Sequence, residues 1–151
     1  MHKTIGFVGL LVSLIVLAGC AGRPSLIPNS DKNLRRTSAQ FAADAAKRHP
    51  YKSNAPRGGE AVARAEVGYM LKQITIVNLS QEAWNDVEVW LNQKYVVFVP
   101  VMEPGQLKTI NFQMLFDDQG NYFTTDNKQM VDKVEIYRDG KMYDVKVKLG
   151  D

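Results

Sequence analysis

The amino-acid sequence predicts an all-β module, a small antiparallel β-sandwich over residues 66–151. Three observations predict it. Short runs rich in Ile, Val, Thr and aromatics alternate apolar with polar residues. Turn signals separate these runs at regular spacing. Asp139-Gly140 lies between two alternating runs, a strong short-range mark of a hairpin.

The elements follow in order. Residues 72–79 read as the first strand and end at Asn78-Leu79-Ser80. Val87, Val89 and Leu91 alternate with Asp86, Glu88 and Trp90, the pattern of a half-buried strand. Residues 94–101 are almost continuously apolar. The break at Asn92-Gln93 joins these two runs as a hairpin, which sets Val89 opposite Val96 and Trp90 opposite Tyr95. Glu103-Pro104-Gly105-Gln106 carries proline second and glycine third, a type II turn. A strand over 107–112 follows, then a turn at Asp117-Asp118-Gln119-Gly120-Asn121. In the last hairpin, Arg138 opposite Lys141 puts Ile136 against Tyr143 and Val134 against Val145 on the inner face. Lys133, Glu135, Tyr137, Met142, Asp144 and Lys146 then take the outer face, since a slip of one residue would expose the apolar set.

Residues 20–65 read as a basic tether. A short helix near 33–48, capped by Ser30 or Asp31, carries only a weak stripe of Leu34, Ser38, Phe41 and Ala45, and Pro50 ends it. Pro50, Pro56 and Gly58-Gly59 punctuate the next stretch, which reads as linker. Charge divides at the same boundary. Residues 30–65 hold eight basic and three acidic side chains, whereas residues 66–151 hold nine basic and thirteen acidic. The basic character belongs to the tether, which suits an anionic membrane surface.

The N-terminus orders Lys3, an apolar run from Ile5 to Leu17 and the small residues Ala18-Gly19 directly before Cys20, the one cysteine, so that Leu17-Ala18-Gly19-Cys20 closes the segment. This resembles the lipobox of bacterial lipoproteins. The resemblance implies a signal peptide over 1–19, lipidation of Cys20 and attachment to the membrane through that lipid. The apolar run is shorter than the roughly 20 residues that a spanning helix needs. Ala21 is not aspartate, which by the same resemblance implies the outer membrane, facing the periplasm.

Ile74-Thr75-Ile76-Val77-Asn78-Leu79-Ser80, Trp84-Asn85-Asp86-Val87 and Pro104-Gly105-Gln106 resemble the immunoglobulin-like and fibronectin-like modules of bacterial surface proteins. That resemblance covers about residues 70–149 and implies a fold, not an activity. Phe41-Ala42-Ala43 and Lys47-Arg48, ahead of Trp84-Asn85-Asp86-Val87, resemble a family of bacterial lipoproteins, which again implies no activity.

Little in the sequence points to catalysis. One cysteine excludes an intramolecular disulfide, and beyond the signal only His49 is available as an imidazole. Asp117, Asp118, Asn121 and Asp126 gather oxygen donors, but their spacing is that of a turn and not of a twelve-residue calcium loop. Glu88, Glu103 and Glu135 fall on outward faces or turns, where carboxylates are ordinary surface. No phosphate loop is present. The sequence calls for no cofactor and no metal, and an exported chain has no use for nucleic acid. Trp84 reads as a plug at one end of the sandwich. Trp90 and Tyr95 are the candidate partner-binding residues. On an open face they would form a patch suited to an envelope protein or a glycan, and on a covered face they would be core. The expected function is therefore an envelope lipoprotein acting as a non-enzymatic binding or accessory subunit. The alternative is a structural tether linking an envelope assembly or peptidoglycan to the membrane.

Overall fold

The computed structural model describes residues 37–150 apart from residue 127, and its regular structure among these residues is seven strands, one α-helix and one 3-10 turn. The expected signal peptide, Cys20 and the expected tether up to residue 36 lie outside the described residues. Helix α1 (Ser38–Arg48) opens on a reciprocal capping box. The Gln40 amide donates to Thr37 Oγ1 at 3.2 Å, and the Thr37 amide donates to Gln40 Oε1 at 3.0 Å. Thr37 therefore caps the helix, not Ser30 or Asp31. The helix stops before His49-Pro50, as Pro50 requires. No described helix is long and apolar enough to cross a membrane.

The strands are β1 (Arg57–Gly68), β2 (Gln73–Asn78), β3 (Trp84–Leu91), β4 (Tyr95–Met102), β5 (Leu107–Asn111), β6 (Val134–Arg138) and β7 (Lys141–Leu149). They form one mixed sheet in the order β4-β3-β6-β7-β1-β2-β5. Every neighbouring pair is antiparallel except β1 and β7, so the expected purely antiparallel arrangement is corrected. One apolar cluster draws Ile74 and Ile110 from β2 and β5 together with Val87 and Val99 from β3 and β4. These strands lie toward opposite ends of the strand order, so the sheet must curl around its own core. Asn78 stitches the curl. Its buried amide donates to Met102 O at 2.9 Å, and its carbonyl accepts the Gly105 amide at 2.7 Å.

Strand β1 is the largest departure from the sequence reading. The expected domain start at residue 66 falls inside it, and the stretch read as tether supplies Ala61, Ala63 and Ala65 to the core. Alanine is a weak strand former, and the outward Glu60, Arg64 and Glu66 look like tether. Packing on both sides decides the outcome: β1 pairs antiparallel with β2 and parallel with β7. Its entry is irregular, with register shifts between Arg57, Glu60 and Arg64. Gly58 is required there, because a Cβ would lie 2.1 Å from the Tyr143 ring.

The last hairpin has the expected register, from Arg138↔Lys141 to Val134↔Val145. Asp139 and Gly140 both take positive φ, as a two-residue turn demands. The β3–β4 hairpin does not have the expected register. Leu91 pairs with Tyr95, so the loop holds one residue more than Asn92-Gln93 and Trp90 stands opposite Val96. Asn92 fixes this loop. Its Oδ1 accepts the amides of Asp132 and Lys133 at 2.8 and 3.1 Å, and its Nδ2 donates to Met130 O at 2.8 Å.

Candidate functional site

The one-residue slip separates the two candidate aromatics. Tyr95 turns into the main core, where its ring meets Phe123 edge-on at 5.3 Å and its hydroxyl donates to Gln129 at 3.3 Å. Trp90 turns to the other face and is buried there with Val96 and Met142. Both are covered, so no open aromatic patch forms from this pair. Trp84 is core, with the Arg138 guanidinium 4.6 Å over its ring.

What covers Trp90 is the segment between α1 and β1. Residues 49–56 run as a strap across the outer face of β3, β6 and β7. Tyr51 packs edge-on against the Trp90 indole at 5.1 Å, and the Met142 amide donates to Pro56 O at 2.9 Å. The His49 ring stacks on Phe98 at 5.1 Å, and the Lys52 ammonium sits 4.3 Å over the Tyr137 ring.

Two carboxylates beneath the strap fasten it. Glu88 and Glu135 are 6% and 0% exposed, which corrects the reading of both as ordinary surface; only Glu103 stays exposed in its turn. Glu88 Oε1 lies 2.8 Å from His49 Nδ1. Lys52 Nζ donates to both Glu88 oxygens at 2.7 and 2.5 Å, and the Trp90 indole donates to Oε2 at 3.2 Å. Glu135 accepts from the Tyr51 hydroxyl at 2.9 Å, from Arg57 and from Lys133 at 2.9 Å. Lys133 also reaches Asp144 at 2.9 Å. Burial alone would push the Glu135 carboxyl up, but donation from Lys133, Tyr51 and Arg57 outweighs it and holds the group below the usual range. The same contacts raise Lys133, chiefly through Glu135 and then Asp144.

The arrangement holds two chain segments together. Each carboxylate oxygen is already an acceptor of donors from the strap or from the sheet. A buried carboxylate without such partners would cost several kcal/mol, so the strap and the acidic face require each other. The sequence carried one signal for this. Trp90, Tyr137 and Met142 are large apolar residues at outward strand positions, which marks a covered face.

The oxygen-rich turn is also a structural unit. Asp117 Oδ1 accepts the Gln119 and Asn121 amides at 3.0 and 2.8 Å, and Oδ2 takes the Asn121 side chain and Lys94, each at 3.2 Å. Burial opposes ionisation of Asp117, but Asn121, Lys94 and Gln119 together lower its pKa. Among the described residues, no group of three or more His, Cys, Asp or Glu side chains could hold a metal ion. Comparison with protein families, curated proteins and solved structures gives no match.

Proposed function

We propose that this chain is an envelope lipoprotein, anchored through lipid on Cys20 to the outer membrane and facing the periplasm, with an immunoglobulin-like sandwich that serves as a non-enzymatic accessory or binding subunit. The observation that carries the reading is the strap. The segment that leads from the lipobox side of the chain into the sheet is itself fastened to the sheet through Glu88 and Glu135. An anchored module gains from such a junction, because a pull on the tether meets a packed, ion-paired strap before it reaches β1.

The strand order supports the sandwich. Strands β1, β2 and β5 would form one layer and β7, β6, β3 and β4 the other, with β1 bridging both; this matches the A-B-E and G-F-C grouping of immunoglobulin sheets. Burial of Trp90 and Tyr95 favours the second reading, a structural tether between the membrane and peptidoglycan or an envelope assembly. Metabolic labelling with a fatty-acid analogue tests the anchor. Wild-type protein is expected to carry the label and Cys20→Ser to lose it. Unlabelled wild-type protein in the soluble fraction would overturn the anchor.

A further inference from the structure

A second feature lies away from the strap. A cleft opens between the start of β2, the end of β5 with its 3-10 turn (Phe112–Met114), and residues 122–126. Its floor is Phe112 and Phe123, both buried and packed edge-to-face at 4.8 Å. Tyr122 forms one wall. Its ring is held edge-on to Phe116 at 6.4 Å, and the residue remains 47% exposed. The wall is fixed by backbone pairing, Phe116 with Tyr122, and by donation of the Phe123 amide to Leu115 O at 2.9 Å.

Two polar side chains at the rim are unspent. The side chains of Asn111 and Gln113 line the cleft and make no hydrogen bond to another described residue. Lys72 and Asp126 lie beside each other at the rim, 3.9 Å apart and beyond hydrogen-bond length, so each keeps its capacity while their charges cancel. Two amides supply both donors and acceptors, an aromatic ring offers an apolar face with a hydroxyl tip, and the rim carries no net charge. That combination complements a ligand with a C–H face, many neutral hydroxyl or amide groups and no charge.

We propose that this cleft binds a neutral saccharide, with an acetamido sugar as the best-fitting class. A pyranose ring would stack on Tyr122, and its hydroxyl and amide groups would be met by Asn111, Gln113 and the Lys72–Asp126 pair. Leu71, 70% exposed beside them, suits the acetyl methyl. The assignment deepens the accessory-subunit reading, since a glycan contact would place the anchored module against the cell-wall polymer.

The test is an NMR titration of the isotope-labelled, lipidated full chain in detergent micelles with the β-1,4-linked trimer of N-acetylglucosamine. Saturable shifts are expected at the Asn111 and Gln113 side-chain amides and at residues 122–126. Tyr122→Ala, at an exposed site, should weaken binding about tenfold or more, and Asn111→Ala with Gln113→Ala should do the same. A trimer of uronic acid should bind more weakly than the neutral trimer. No shift at roughly millimolar sugar, or shifts that Tyr122→Ala leaves unchanged, would overturn the site. The fatty-acid label is read separately. Labelled protein without sugar shifts overturns the cleft alone, and unlabelled protein with them overturns the anchor alone.

Discussion

Replacing Arg57 and Lys133 together by alanine is expected to destabilise the module more than removing the carboxylate they serve. In the double variant Glu135, fully buried, keeps only the Tyr51 hydroxyl. A buried charge left without its partners costs about 3–5 kcal/mol. Glu135→Leu strands nothing comparable. The Arg57 and Lys133 side chains are 44% and 39% exposed and stay hydrated, and Lys133 keeps Asp144. Adding Glu135→Leu to the double variant should therefore restore much of the lost stability, because a hydrophobic group in place of a buried ion pair is often neutral. Urea melts of the three variants decide this, and a triple variant less stable than the double would contradict it. The pH dependence has a definite sign. The folded-state pKa of Glu135 is depressed, so its contribution is present above the unfolded value of about 4.3 and is lost as pH falls through the folded value. The triple variant should show a shallower acid limb. A remainder due to Asp117, depressed in the same direction, should persist.

Trp90→Ala is expected to be comparably severe. Removal of a buried aromatic costs about 3–5 kcal/mol, through lost burial and the cavity it leaves. Here it also removes the indole donor to Glu88 and the surface against which Tyr51 packs. The strap should loosen locally as well. Lys52 and Arg57 lie in or beside it, so trypsin should cut Trp90→Ala there much faster than wild type under native conditions. Tyr95→Phe is the contrast. It keeps the ring against Phe123 and loses only a long hydrogen bond to Gln129, so its cost should stay below about 1 kcal/mol. Equal trypsin sensitivity in Trp90→Ala and wild type would show that Trp90 does not hold the strap.

How far the fold was legible depended on which residues set register. Asp139-Gly140 admits one turn geometry, so the β6–β7 pairing followed residue by residue. Asn92-Gln93 admits several, and the choice was made by the Asn92 side chain bonding to residues 130–133, a contact between distant segments that no local pattern contains. Strand β1 was hidden because three of its inward positions are alanines and most of its outward ones are charged, a texture shared with solvated helices and linkers. The acidic site was least legible. Glu88 and Glu135 occupy outward positions by strand alternation, where a carboxylate is normally exposed. They are buried because the preceding segment lies over them. The outward Trp90, Tyr137 and Met142 signalled a cover without naming it.

The central claim is that residues ahead of β1 belong to the folded module and do not merely lead to it. Urea unfolding of a chain beginning at Ala21 against one beginning at Gly58 tests this most directly. The shorter chain lacks His49, Tyr51, Lys52 and Arg57, leaves Glu88 only the Trp90 indole as a side-chain donor, strips Glu135 of Tyr51 and Arg57, and uncovers Trp90. It is expected to unfold at a clearly lower urea concentration, or to show no cooperative transition. Coincident transitions for the two chains would contradict the account.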